Sequence, residues 1–298
     1  MTYAISTYNC RGLRDVSKRQ KIFKWLKEKQ LEIVFLQETH STTGDEAKWQ
    51  REWGGKICFN HGKRDSKGVM VLFKPNMDID ILKIECVVEE GRVLLVDVNM
   101  NNIEMLLVNI YAPNADSPDF FKELFTELST RDRNNLIIGG DFNLVLDLKQ
   151  DKDGGRHKTN ENAQKCLIKY IDTLELVDIW RIKHPSLREY TWRRRKPSTI
   201  QCRLELNTVQ KVLIESGFLS DHSLVKTCFK IDRFIKGPGY WKLNCSYLQN
   251  LDYIDTIKEV IRECKIIHEG TGIDDILYWE TLKMQIRGAS IKYASIIK

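Results

Sequence analysis

A chain of 298 residues with 42% hydrophobic content is long enough to bury one large core, or a core and a small appendage, which excludes a staple-dependent miniprotein. Lys and Arg number 47 against 41 Asp and Glu, a net charge of +6 that permits a nucleic-acid partner and demands one only if the charge is clustered. The eight cysteines include no C-x-x-C pair and have no histidine at zinc-finger spacing, so free thiols in a reducing compartment are expected.

The opening MTYAISTYNCRG lacks the basic start and apolar run of a signal peptide, and no stretch reaches the roughly 18 apolar residues of a membrane span. A protein of the nucleus or cytoplasm follows, not secreted, with no membrane partner and expected to be a monomer. Tyr3 to Asn9 alternates like a strand. Ser17 is expected to cap a basic amphipathic helix, KRQKIFKWLKEKQ, with Ile22, Trp25, Leu26 and Leu31 near helical spacing and Lys18, Lys21, Lys24 and Lys27 on a solvated face. EIVFLQE is continuously apolar and predicts a central strand buried on both faces.

From Gly68 to Tyr111 the runs VMVLFK, IDILKIECVV, RVLLVDVNM and IEMLLVNIY predict an antiparallel meander, with turns at Glu89-Glu90-Gly91 and Asn101-Asn102. Pro118 and Asp119 start a helix through Leu128, and LIIGGDF is another buried strand. Asn160 to Leu174 is again helical, with Ala163, Leu167, Tyr170, Ile171 and Leu174 on one stripe. Mixed strands with intervening helices imply layered α/β packing.

After Lys230 the character changes. A Gly-Pro-Gly breaker leads to two helical segments, about Tyr247 to Cys264 and Asp274 to Ile297, separated by HEGTG. The domain reading is therefore a core over 1–232 and a helical connector over 233–298. Ile276, Trp279, Leu282, Met284 and Ile286 form an apolar stripe that suits its own helical neighbour first, and self-association or a further domain otherwise.

Polar residues at the ends of the apolar strands are where a rigid scaffold carries function: Asn9, Gln37-Glu38, Asp141 with Asn143, and Asp221-His222 before SLVKTCF. A metal-dependent phosphodiesterase needs this inventory: oxygen ligands for a hard cation, amides to orient phosphate, and a His/Asp pair to activate water. Taken singly, each has a structural alternative. Asn9 suits a turn before Gly12, Glu38 a solvated strand end, Gly139-Gly140-Asp141 a tight turn, and Asp221-His222 an ordinary dipeptide.

In order along the chain stand Asn9, Gln37-Glu38-Thr39, Asn109-Ile110-Tyr111-Ala112-Pro113, Gly140-Asp141-Phe142-Asn143 and Ser220-Asp221-His222-Ser223. The set resembles the signature of the endonuclease/exonuclease/phosphatase superfamily, and LVDIWRIKHPSLREYTW resembles the LINE-type retrotransposon endonucleases within it. The resemblance implies a four-layered α/β sandwich, two packed mixed sheets flanked by helices, with a C-terminal helical appendage. It also implies DNA nicking with magnesium as cofactor, manganese being the alternative. Glu38 would be the principal metal ligand, with Asn9 and Asp221 near the metal. Asp141 would activate water, Asn143 would hold the phosphate, and Tyr111 and His222 would contact it.

The resemblance also carries departures. Glu205 stands where the family has an Asp that orients the catalytic histidine, and its extra methylene displaces the carboxylate. The run after it looks shorter than in relatives, and Leu206 to Ser216 reads as damaged or rebuilt. Arg193, Arg194, Arg195 and Lys196 are the densest basic cluster, either a solvated loop or a substrate contact along a DNA backbone. GPGYWKLN resembles the connector preceding reverse transcriptase in LINE-type polyproteins, but no polymerase motif follows in this chain. Three functions stay open: an active DNA-nicking endonuclease, a catalytically impaired DNA-binding remnant, and a phosphodiesterase acting on abasic DNA, a phospholipid or an inositol phosphate.

Overall fold

The computed structural model describes residues 2–63, 65–131, 135–147, 160–174, 176–187, 189, 191, 199–203, 209–230, 245–268 and 274–296. The chain divides into two compact units, 1–233 and 234–298. Among the described residues the first unit holds two six-stranded sheets.

The first sheet contains β1 (Thr2–Asn9), β2 (Ile33–Gln37), β3 (Ile57–Asn60), β4 (Val69–Phe73), β11 (Val209–Glu215) and β12 (Leu224–Lys230), in the order β11-β12-β1-β2-β4-β3. The second contains β5 (Asp80–Val87), β6 (Val93–Met100), β7 (Ile103–Tyr111), β8 (Leu136–Asp141), β9 (Val177–Asp178) and β10 (Thr199–Arg203), in the order β5-β6-β7-β8-β10-β9. Each sheet has one parallel pair at its centre, β1 with β2 and β7 with β8, and is otherwise antiparallel. The two pairs are bridged by α1 (Val16–Glu28) and α3 (Pro118–Ser129), because parallel neighbours need a long crossover. The expected four-layered sandwich is therefore the observed architecture.

Strand periodicity assigns the layers. In β2, Ile33 and Phe35 enter the core between the sheets, whereas Val34 and Leu36 face the helices. In β7, Met105 and Leu107 enter the same inter-sheet core, while Leu106, Val108 and Ile110 pack against α3 and α4 (Glu161–Thr173). Apolar residues on both faces give the continuous runs seen in the sequence.

The expected meander is corrected in one respect: VMVLFK belongs to the first sheet as β4, beside β2, and the antiparallel meander is β5-β6-β7 alone. The chain changes sheets between Phe73 and Asp80, a step that local patterning does not record. The Asn101-Asn102 turn is as read. Met100 pairs with Ile103, and both asparagines are left-handed, at φ 55° and 62°, the geometry of a two-residue hairpin.

Asp15, not Ser17, caps α1. Asp15 is extended and its carboxylate accepts from the Lys18 N–H at 2.6 Å, placing Ser17 inside the first turn. The helix buries Ile22, Phe23 and Leu26, together with Arg19, at 2% exposure. Arg19 forks onto Glu52 at 2.6 and 2.9 Å, donates to the Leu13 carbonyl at 2.9 Å and lies 5.0 Å from the Trp49 ring. It thereby ties α1 to α2 (Glu46–Trp53).

Gly139-Gly140-Asp141 is not a turn but the end of β8. A Cβ on Gly140, at φ 147°, would meet the Ile110 carbonyl oxygen at 2.0 Å, so only glycine lets β7 approach there. Of the two readings of 206–216, damaged or rebuilt, the first is corrected over Val209–Glu215. These residues form β11, paired along β12 from Val209 opposite Phe229 to Glu215 opposite Leu224, and Val209 and Val212 enter the inter-sheet core. α5 (Ile179–Lys183) sits beside it: the Trp180 and His184 rings are 4.2 Å apart, and His184 Nε2 lies 3.3 Å from the Val212 carbonyl.

The second unit packs α6 (Leu251–His268) against α7 (Asp275–Ile296) through Tyr247, Tyr253 and Tyr293, with Tyr253 and Ser290 hydroxyls 2.7 Å apart. The expected apolar stripe is not one buried face. Leu282 is buried, but Ile276, Trp279 and Met284 are more than half exposed, because the tyrosine cluster supplies the packing face. No described helix is long and apolar enough to cross a membrane.

Glu85 on β5 accepts from Arg131, just past α3, at 2.5 Å, and this bond together with Lys83 holds its carboxyl down at about 2, against an ordinary 4.5. A depressed carboxyl contributes stability that is complete above 4.5 and is lost as pH falls through about 2. Glu85→Gln is expected to cost on the order of 1 kcal/mol at pH 7. Chemical denaturation from pH 7 to 2 should show the wild-type advantage shrinking across that window; a constant difference would contradict the linkage.

Candidate active site

The four ends of the parallel strands carry the site: Asn9 closes β1, Gln37 and Glu38 close β2, Tyr111 closes β7 and Asp141 closes β8. Parallel pairs direct their C-terminal ends the same way, so two sheets contribute side chains to one crevice. His222 arrives from the opposite direction, two residues before β12, which runs antiparallel to β1.

Asn9 is fully buried and is the hub. Its Nδ2 donates to Glu38 Oε1 at 2.9 Å and to Asp141 Oδ2 at 2.9 Å, and its Oδ1 accepts from the Arg11 N–H at 3.0 Å. That last bond fixes which end of the amide is nitrogen. The Asn9 carbonyl accepts from Ser220 Oγ at 2.7 Å, anchoring the loop that brings in His222. Tyr8 grips the same loop, its hydroxyl donating to the Phe218 carbonyl at 2.6 Å.

Asp141 is 1% exposed, and burial pushes its carboxyl up; the facing His222, the Asn9 bond and the Asn143 N–H oppose that shift. His222 Nε2 lies 3.9 Å from Asp141 Oδ2, beyond hydrogen-bond range but close enough to share charge. Burial, followed by the charge of Glu38 and a hydrogen bond to it, pushes the Tyr111 phenol well up, so the hydroxyl stays protonated and serves as a donor. Arg92 lies 5.4 Å from the Tyr111 ring and donates to the Tyr111 carbonyl at 3.2 Å, holding the ring in place.

Beneath the crevice the sheets are tied by amides. Gln37 Nε2 donates to Asn109 Oδ1 at 2.7 Å and to Thr7 Oγ1 at 3.0 Å, while Asn109 Nδ2 donates to the Leu36 and Met70 carbonyls. Arg11, Glu38, His40 and Asn143 adopt left-handed backbones, at φ 49°, 51°, 54° and 52°. Such a conformation costs about 1–3 kcal/mol at a non-glycine residue, and its clustering here marks a site whose surroundings over-determine the chain.

The structure thus brings together Asn9, Glu38, Tyr111, Asp141 and His222. The Asn143 N–H donates to Asp141 Oδ1 at 3.0 Å and its Nδ2 to the Ala112 carbonyl at 2.7 Å, so one amide hydrogen is engaged inward. The Asp221 side chain is 39% exposed and pairs with Arg11 at 3.0 Å. Glu205 and Arg193, Arg194, Arg195 and Lys196 lie outside the described residues. Sequence reasoning missed Arg11, Arg92 and the Gln37–Asn109 tie as working parts; an amide at each of two strand ends was the only signal for the tie.

Among the described residues no three His, Cys, Asp or Glu side chains are placed to hold a metal. The donor set nonetheless fits a hard cation: Glu38 and Asp141 point one carboxylate oxygen each at the same amide, and magnesium takes one or two carboxylates and keeps several waters.

Gln37→Met removes the donor to Asn109 and Thr7 while keeping volume, leaving buried acceptors unpaired. It is expected to destabilise the fold by about 1–3 kcal/mol, read as a lower urea midpoint. An unchanged midpoint would show that the tie contributes nothing.

Residues 6–274 match the Endonuclease/Exonuclease/phosphatase family. The chain is 30% identical over 274 residues to the Transposon TX1 uncharacterized 149 kDa protein of Xenopus laevis, an alignment taking in 88% of this chain and 21% of that protein. This chain therefore spans about a fifth of that relative's length. Among solved structures it is similar to an AP endonuclease from Archaeoglobus fulgidus, at TM-score 0.64 and 19% identity over 77% of this chain and 100% of that one. It is also similar to AP endonuclease LMAP from Leishmania major, at TM-score 0.65 and 15% identity over 78% and 88% of the two chains. The 3' phosphatase NExo from Neisseria, bound to product DNA hairpin, matches at TM-score 0.62 and 19% identity over 77% and 100%. Site, fold and sequence agree, and the chain belongs to the endonuclease/exonuclease/phosphatase family of phosphodiester-cleaving enzymes.

Proposed function

We propose that this protein is a divalent-cation-dependent endonuclease that nicks DNA and descends from a retrotransposon. The observation that carries the reading is the Asn9 amide holding Glu38 and Asp141 together, with His222 facing Asp141 at 3.9 Å. The likeness to a transposon protein and to a phosphatase bound to a DNA hairpin supports DNA as the substrate class. A DNA substrate places its work in the nucleus.

Glu38 and Asp141 would hold the cation, magnesium or manganese, and when bound it supplies neutralisation of the phosphate's negative charge. The remaining chemistry belongs to the chain. Asp141, whose carboxyl burial pushes up, accepts a proton from the attacking water. His222 and the Tyr111 hydroxyl donate to the non-bridging oxygens as charge accumulates there, and the uncommitted Asn143 amide hydrogen orients the phosphate. The water oxygen bonds to phosphorus, the ester P–O bond breaks, and the leaving oxygen is protonated from solvent.

Glu205 remains the proposed orienting partner of His222, and the basic run 193–196 the proposed track for the DNA backbone. An impaired remnant was suggested by Glu205 in place of Asp and by a shortened segment after it; on the second point, the pairing of β11 along β12 supports the active reading.

Purified protein is expected to convert supercoiled plasmid to open circle with magnesium and to stop on chelation. Glu38→Ala and His222→Ala should each lower the rate by at least about 100-fold while circular dichroism stays native. Folded wild type that leaves plasmid intact, or cleaves only abasic oligonucleotide or a phosphoinositide, overturns the reading.

A further inference from the structure

Arg11 stands two residues past β1 yet takes no part in the Asn9 hub through its side chain, which is 65% exposed. Its backbone, by contrast, is held from every side. The Arg11 N–H donates to Asn9, its carbonyl accepts from Lys18 Nζ at 2.7 Å, and Cys10, Gly12 and Leu13 donate to the Gln37, Glu38 and Thr39 carbonyls at 3.1, 2.6 and 3.1 Å. An exposed guanidinium is thus mounted on a firmly hydrogen-bonded backbone beside the Asn9 hub. Lys18, expected on a solvated helix face, is part of that mounting.

Stability does not explain the residue. Arg11 is left-handed, where Gly or Asn would be less strained. Its ion pair with Asp221, at 3.0 Å, joins side chains 65% and 39% exposed, a class of pair that contributes little to folding. The position of the pair is what distinguishes it: Asp221 immediately precedes His222, whose ring faces Asp141. A planar, permanently charged guanidinium, held on the residue that precedes His222 in the chain, can fork onto a phosphate.

We infer that Arg11 is a substrate-phosphate contact, and that Asp221 is its counter-ion in the free protein, displaced when a phosphodiester binds. The inference rests on the nuclease reading and adds to it a binding residue together with an exchange of partners. In the free protein Asp221 holds the guanidinium; in the complex the phosphate takes its place on Arg11.

Fluorescence anisotropy of a labelled DNA duplex tests this, with chelator present so that binding is read without cleavage. Arg11→Gln, Asp221→Asn and the double variant are compared across a salt series. Arg11→Gln should weaken binding several-fold and reduce the slope of log K against log salt by about 1, as loss of one phosphate contact does. Asp221→Asn should tighten binding in the wild-type background by more than it does alongside Arg11→Gln, because only the former has a guanidinium to release. Thermal midpoints near that of wild type separate binding from folding. Wild type that binds with an Arg11→Gln slope unchanged, or a strictly additive cycle, overturns this inference alone. Wild type that binds no duplex overturns it together with the nuclease reading.

Discussion

Glu38 and Asp141 come from different sheets and carry like charge, yet one of each one's oxygens lies 2.9 Å from the same nitrogen, Asn9 Nδ2. Two carboxylates brought this close, one of them fully buried, repel one another; a neutral amide with two N–H groups is the smallest device that satisfies both without cancelling either charge. Everything around Asn9 serves to keep that amide still. The Arg11 N–H orients its oxygen, Ser220 takes its carbonyl, and the 10–13 segment is hydrogen-bonded to the 37–39 loop. On the proposed reading, the residual electrostatic strain is what a bound cation would relieve and what would suit Asp141 to accept a proton.

The two-sheet architecture follows from the same requirement. Parallel pairs at the centre of each sheet point four strand ends into one crevice, and the Gln37–Asn109 tie fixes one sheet against the other below it. Gly140 allows β8 to approach β7 within a distance that any side chain would forbid, which sets the height of Asp141. Remote parts such as the buried Arg19 matter through α1, which covers the outer face of the first sheet and supplies Lys18 to the Arg11 loop. Their contribution to the chemistry is placement.

The sequence made some of this legible and concealed the rest for physical reasons. Asn101-Asn102 announced a hairpin because few residue pairs tolerate two left-handed positions, and EIVFLQE announced a central strand because apolar residues on both faces have no other use. The sheet exchange after Phe73 was invisible, since alternation reports which residues are buried and not which strand lies alongside. α2 and β3 went unread because Trp49 and Trp53 are the only apolar anchors of an eight-residue helix, and β3 is four residues long. Arg19 was hidden among lysines that are solvated, because charge type does not reveal the Glu52 partner far along the chain. β11 was obscured because its segment looked short beside relatives, although VQKVLIE carries strand-favouring Val and Ile, and hydrogen bonding to β12 completes the strand. The motif residues were legible as a set; Asp221 turning to Arg11, and Asn143 turning to Ala112, belong to side-chain geometry that spacing does not encode.

Calorimetric titration of magnesium or manganese into the free protein tests the central claim, that Asn9 presents Glu38 and Asp141 as one cation-binding pair, with no DNA and no turnover involved. The account predicts saturable binding of a divalent cation that is lost alike in Glu38→Gln and Asp141→Asn, with both variants folded. Binding that survives in both, or its absence from the wild type, would contradict it.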